Sequence, residues 1–439
     1  MSVSGTSVEP LSVEPLSAVP PPAVPVPVPV ENRQWLTLVE RKRVLAVAHT
    51  VTYAKRLLDV LSLLESDFRV QVVFTAPPHA FGGEVPQFLG RLGSPLLPWD
   101  EATRTTFDLA LTAGPRGVEQ VRAPLITLPH GANYLKRLSG GPDAGVAGLR
   151  RRDLVPGGVM PAAVVVPHHD DLRELARHCP EALPVSHVVG DPVHDRIAAS
   201  LPLRAAYRRA LGVGKRQKLV VAVSTWGPRS AFGGFETLLP RLIGELPSAR
   251  YRTAVLVHPN VWSGHGSWQV RAWLARCVQR GLGLVPPEAD WRSVLIAADH
   301  VIGDHGSVTL YATLTGAPVL LASSPEPEIN PASPAAALAV TAPALSPAHP
   351  LVDQLDYAAA EYRREEHAAI SARITSEPGR FNRNMRRLMY RILGLGQPAH
   401  EPVTVPLPDP SLPDAWRTGP GSGSGARAGS GSGRREASA

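Results

Sequence analysis

Arg43-Val44-Leu45-Ala46-Val47-Ala48-His49 is a short, continuous apolar run, and the residues after it place Leu57, Leu58, Leu61 and Leu64 at helical spacing. A strand without polar alternation, followed by an amphipathic helix, is the repeating unit of a parallel sheet covered on both faces. The unit recurs: apolar runs lie at Arg69 to Phe74, Asp108 to Thr112, Pro124 to Leu128, Ala162 to Val166 and Ser186 to Val189. The pattern breaks near Pro202 and starts again with Lys218 to Val223, Thr253 to Val257, Gly283 to Val285, His300 to Gly303 and Pro318 to Leu321. Helical stretches such as Ser267 to Gln279 and Trp291 to Ala298 intervene. Two successive doubly wound sheets predict an α/β protein of two Rossmann-like lobes, with any site in the cleft between them.

Working outward, residues 1–33 form a Pro/Val-rich tail, which composition predicts to be disordered. The first lobe is expected over 34–201 and the second over 202–397, with the final helices included in it. Residues 398–439, rich in Gly, Ser and Pro, are expected to be a second disordered tail. The last predicted helix, 378–393, has Phe381, Met385, Leu388, Met389 and Ile392 on one face and Arg383, Arg386, Arg387 and Arg391 mostly on the other. Such a helix either packs on a lobe or lies on a membrane surface.

The chain has 439 residues, 44% hydrophobic and 19% charged, which suits two buried cores. Its net charge of +7 suits anionic partners. No aromatic–basic interleaving or zinc-finger spacing points to nucleic acid, and no partner of that kind is expected. Two distant cysteines, Cys179 and Cys277, exclude a disulfide framework and point to a reducing compartment. With neither a signal-peptide pattern nor a long apolar run, a cytoplasmic protein is expected, peripheral to the inner membrane face if 378–393 lies on the lipid.

Ligands of open α/β sheets sit beyond the carboxyl ends of the strands, so the residues just after each run carry the chemistry. His130-Gly131 follows one strand, and an imidazole there can take a proton from a hydroxyl. His258-Pro259-Asn260 occupies the matching place in the second lobe and would face His130 across the cleft, with Trp262 and His265 close behind. In Gly303-Asp304-His305-Gly306-Ser307-Val308-Thr309 a strand ends and a helix begins near Ser307; free N–H groups there favour a phosphate. An ordinary capped helix start is the plainer reading. Thr225, Trp226 and Arg229 follow the first strand of the second lobe, and Arg229 could hold a diphosphate. Gly190-Asp191-Pro192-Val193-His194-Asp195 lies between the lobes and reads equally as a hinge. His168-His169-Asp170-Asp171 is explained more cheaply as a helix start than as a metal site, and with no D-x-D and no full dinucleotide or P-loop pattern, no metal or cofactor is expected.

In order, these motifs resemble those of the CDP-glycerol glycerophosphotransferases of teichoic-acid synthesis, which have the GT-B fold. The His-Gly turn matches His130-Gly131, the Gly-x-Pro-x-x-Asp hinge Gly190 to Asp195, the Thr-Trp strand end Thr225-Trp226, the His-Pro His258-Pro259, and the helix start Gly303 to Ser307. The match is one of spaced motifs over about residues 43 to 325. Where that family has Tyr and Ser, His305 and Gly306 stand; its Trp and Thr flanking His-Gly are Pro129 and Ala132. The chain also resembles the UDP-N-acetylglucosamine 2-epimerases in its His-Pro-Asn, and actinobacterial proteins with the same Ser-Thr-Trp-Gly-Pro and Gly-Asp-His-Gly-Ser segments.

The resemblance implies a transferase moving a glycerophosphate, phospho-polyol or sugar from a nucleotide-diphosphate donor to a hydroxyl acceptor of cell-envelope type, for which a membrane-associated acceptor is one expectation. It implies His130 as base, with His258 and Ser307 on the donor phosphates. Asp304, His305, Gly306, Thr309 and Arg229 complete the expected phosphate site, and Thr225, Trp226, Asn260, Gly131, Asp191 and Asp195 the expected cleft. A nucleotide-sugar epimerase and a non-catalytic scaffold on the same fold are the alternatives.

Overall fold

A computed structural model describes residues 40–417, apart from 95, 115, 116, 133 and 138–144. The first lobe contains β1 (Lys42–Val47), β2 (Val70–Thr75), β3 (Leu96–Leu97), β4 (Leu109–Thr112), β5 (Leu125–Thr127), β6 (Ala163–Val166) and β7 (Ser186–Val188). They form one parallel sheet in the order β3-β2-β1-β4-β5-β6-β7. The second lobe contains β8 (Lys218–Ser224), β9 (Tyr251–Val257), β10 (Gly283–Val285), β11 (His300–Gly303) and β12 (Val319–Leu321), parallel in the order β10-β9-β8-β11-β12.

The continuous apolar runs are explained by burial on both faces. Val44 and Ala46 enter the core on one side of the first sheet, while Leu45 and Val47 enter the core on the other. In β8, Val221 and Val223 face one core and Val220 and Ala222 the opposite one. Each sheet reverses its winding at one point, between β1 and β4 and between β8 and β11. That reversal parts the connecting loops and opens a crevice beyond the carboxyl ends of the strands. Two-residue β3 was too short to leave a pattern in the sequence.

Two boundary expectations are corrected. The helix Phe381–Leu393 does not belong to the second lobe: Phe381, Met385, Leu388 and Met389 are buried in one core with Val44, Leu57 and Leu109. Asp195 fixes its start, accepting hydrogen bonds from the N–H groups of Gly379 at 2.7 Å and Phe381 at 3.0 Å. Its apolar face is therefore not free to lie on a membrane through 378–393. Nor is 398–417 a loose tail. The Leu407 N–H donates to Ser200 Oγ at 2.8 Å, Tyr207 donates to the Leu407 carbonyl at 2.7 Å, and the buried Trp416 indole donates to the Gly281 carbonyl at 2.9 Å. Composition reads this stretch as polar linker, yet two anchors suffice to hold it. The expectation of disorder for 1–33 and for the rest of the C-terminal segment falls outside the described residues. No described helix is long and apolar enough to cross a membrane.

Candidate functional site

Five strand ends bring the chemistry together. His49 follows β1, His130 follows β5, Thr225 follows β8, His258 follows β9 and Asp304 follows β11. Two cavities of about 420 and 470 Å³ lie between the lobes and meet at a shared wall of Thr52, His130, Gly131, Ser224, His258, Ser307 and Val308. The first cavity is otherwise walled by His49, Tyr53, His79, Tyr134, Lys136 and Trp226. The second is walled by Lys55, Arg56, Phe88, Val285, Asp290 and Trp291. The expected convergence of His130, His258 and Ser307 is present.

The turn at His130-Gly131 brings the lobes into contact. A Cβ on Gly131 would lie 3.0 Å from Ser307 Oγ and 3.2 Å from Ser307 Cβ, so a larger residue would press on the Ser307 side chain. The His130 ring lies 4.8 Å from the Tyr53 ring, and the Ala113 carbonyl beside it favours a proton on the ring nitrogen that faces it, which leaves the other as the acceptor. His130 is exposed to the cleft, yet protein on the remaining sides crowds its ring. That partial desolvation, helped by the Arg56 and Lys136 charges against the Ala113 carbonyl, lowers its pKa to about 4.

His258 caps the helix Pro259–His265, its Nδ1 accepting from the Asn260 N–H at 3.0 Å. The proton of the neutral ring then sits on Nε2. Burial, followed by the charges of His130, Lys136 and Lys55, lowers its pKa to about 3. Two neutral imidazoles thus meet at neutral pH, the first offering a base and the second a donor.

Lys136 escaped the sequence reading. It extends from the first lobe to within 3.3 Å of Thr225 Oγ1, and Nζ lies 5.1 Å from the centre of the Trp226 ring. Burial lowers its pKa, against the opposing pull of Asp304 and Glu328. The one available signal was rarity: only five lysines occur, and Lys136 follows His130 closely. Its neighbours clamp the lobes together, with the Arg137 N–H donating to the Glu328 carbonyl at 2.9 Å and the Asn330 N–H to the Leu135 carbonyl at 2.8 Å.

Several expected phosphate ligands have other work. Asp304 is buried, and its Oδ2 accepts from the N–H groups of Thr225 and Ala231, both at 2.9 Å. Its Oδ1 accepts from the Gly306 N–H at 3.0 Å, and its own N–H donates to Thr309 Oγ1 at 3.1 Å. An acceptor-only carboxylate cannot hold an anion; Asp304 instead folds the loop and helix start around the cleft. His305 is buried beneath the cavity, its Nε2 3.1 Å from Glu328 Oε2, and desolvation lowers its pKa. Arg229 points away to Glu328 Oε1 at 2.8 Å and lines an outer recess with Pro228, Ser230 and Ser323.

Asp191 lies behind the cleft. It accepts from Tyr311 Oη at 2.8 Å and pairs with buried Arg56 at 3.4 Å, tying the hinge to both lobes. Asp195 caps the last helix, as above. Asn260 contributes its backbone N–H to His258, and its side chain does not line either cavity. His168 caps a helix too, its Nδ1 accepting from the Asp170 N–H at 3.0 Å while Asp171 accepts from the His168 N–H at 2.9 Å. Among the described residues no cluster of three or more His, Cys, Asp or Glu is placed to hold a metal ion.

Two doubly wound parallel sheets facing each other across such a crevice define the GT-B glycosyltransferase fold. Solved structures of the wall teichoic acid polymerase TagF share it. One has 13% identity and a TM-score of 0.53, covering 80% of this chain and 89% of its own. A His-to-Ala variant matches at 11% identity, TM-score 0.53 and the same coverage of 80% and 89%. A His-to-Asn variant soaked with CDPG matches at 13%, with a TM-score of 0.52 and coverage of 80% and 89%. The similarity is one of fold. No family model matches the chain, and no curated protein matches it by sequence.

Proposed function

We propose that the cleft transfers a glycerophosphate, phospho-polyol or sugar from a nucleoside-diphosphate donor to a hydroxyl acceptor. The observation that carries this reading is the meeting of His130, His258 and Ser307 at the wall shared by two cavities, with Lys136 close by. One cavity can hold each substrate, and the groups at their junction are those that such a transfer needs. The soak of a TagF variant with CDPG supports the donor class.

The nucleoside occupies the cavity of Val285 and Trp291, and the acceptor that of Tyr53 and Tyr134. The free nitrogen of His130 takes the acceptor proton as the hydroxyl oxygen bonds to phosphorus, or to the anomeric carbon of a sugar. The bond to the nucleotide breaks, and the electron pair leaves on the nucleoside phosphate. His258 Nε2–H, the Ser307 hydroxyl and the Lys136 ammonium stabilise the charge developing on the phosphate oxygens. The low pKa of His130 matters here, because it keeps the base unprotonated beside two cations.

A thermal-shift panel of CDP, UDP and GDP compounds tests the donor. At 100-fold excess over its Kd, a true donor adds about 2.7 kcal/mol of stability. Product analysis with and without an acceptor tests the reaction: turnover that needs no acceptor would replace transfer by epimerisation, and no shift with any nucleotide would leave a scaffold.

A further inference from the structure

Six aromatic rings run in an unbroken arc through the first cavity. Measured between ring centres, His130 lies 4.8 Å from Tyr53, Tyr53 5.6 Å from His49, His49 5.8 Å from His79, His79 5.9 Å from Phe81, and Phe81 5.6 Å from Trp226 of the second lobe. Five of the six line the cavity, and Phe81 joins His79 to Trp226 at its edge. Only His49 is buried; His130 and His79 are exposed, and Trp226 is 41% exposed. Rings that merely filled a core would be covered along the whole arc, and these instead leave open surface in the cleft.

The cavity holds few charges. Lys136 is the only lysine or arginine among its described walls, and it leans on Thr225 and Trp226 at the junction with the second lobe. Asp153 is held by Arg150 at 2.7 and 2.8 Å, and Asp304 by backbone N–H groups. His79 Nδ1 accepts from the Phe81 N–H at 3.1 Å, so Nε2 carries the proton of the neutral ring, and desolvation lowers its pKa. A chain of phosphates needs a cation near each unit taken out of water, and the arc supplies none. What it supplies is π faces for the C–H face of a sugar ring, with neutral N–H and O–H groups for the sugar hydroxyls.

We propose that the acceptor is an uncharged glycan, with one sugar ring presenting its hydroxyl to His130 and the next lying along His79, Phe81 and Trp226. The inference rests on the transfer reading above, in which this cavity takes the acceptor. It departs from an acceptor that brings its own phosphates into the cleft, as a growing glycerophosphate chain would.

The test is saturation-transfer NMR of the full chain with maltotriose, cellotriose and triacetylchitotriose, and with glycerol 3-phosphate and phenol as competitors. At least one trisaccharide is expected to bind, and neither competitor should displace it. Phe81→Ala and Trp226→Ala should each weaken that binding by about tenfold, with the Phe81 variant keeping its nucleotide affinity and melting temperature. Tyr357→Ala, an exposed ring that lines neither cavity, should leave it intact. Undiminished binding in both arc variants, equal loss in the Tyr357 control, displacement by glycerol 3-phosphate or phenol, or no trisaccharide bound would each overturn the inference. A nucleotide-induced thermal shift without saccharide binding would sink this inference alone; saccharide binding with no nucleotide shift would sink the transfer and leave the glycan site standing.

Discussion

His130 shows how position sets chemistry. A free imidazole in water would lose its basic form below about pH 6.5. His130 is open to the cleft, but the protein crowding its ring and the facing Arg56 and Lys136 charges lower its pKa to about 4. The kcat/KM profile should therefore show no acid limb from His130 between pH 5 and 7; a limb near 6.5 would mean that solvent in the cleft cancels that crowding. His130→Ala should lower turnover by about 10²- to 10⁴-fold with little change in nucleotide affinity. Lys136→Met should lower kcat more than it raises KM for the donor, as for a charge that matters most in the transition state, by about tenfold or more. Gly131→Ala would press on Ser307 and should reduce activity while each lobe keeps its own fold, readable by circular dichroism.

The elements differ in how openly the sequence announced them. Both-face burial makes each long strand a continuous apolar run, so β1, β8 and β9 could be read to within a residue or two. The strand ends then pointed to His130 and His258, because ligand sites follow from topology. What could not be read was partnership across the sequence. Phe381, Met385, Leu388 and Met389 announce an apolar face, but nothing in their spacing says that its mate is the first core. Likewise Asp304 looked like a ligand because a carboxylate beside a helix start fits both roles, and only its three backbone N–H donors decide between them. Leu388→Ala should cost about 2–5 kcal/mol, seen as a lower melting temperature, since it leaves a cavity in the first lobe rather than a surface change. Had 378–393 lain on a membrane, the same substitution would leave soluble stability near unchanged.

At the scale of the molecule, the lobes are joined by polar ties as well as by chain. Asp59 of the first lobe reaches Arg292 of the second at 2.7 Å and the hinge residue Arg196 at 2.7 Å, all three side chains being largely buried. Lys55 donates to the carbonyls of Pro287 at 2.6 Å and Ala289 at 2.7 Å, and burial lowers its pKa to about 8. Asp59→Ala would leave two cations short of a partner; it should widen the cleft, with a larger radius of gyration in solution scattering and weaker donor affinity. The measurement that contradicts this is an unchanged scattering curve with unchanged affinity.

The return of Phe381–Leu393 to the first core also orders events at birth. Synthesis proceeds from the amino end, yet the first sheet keeps an open apolar flank until almost the last helix has left the ribosome. A nascent chain halted before Phe381 would hold a first lobe with an open apolar flank and a second lobe still lacking Leu407 and Trp416, so neither half is complete until the segment beyond this helix has emerged.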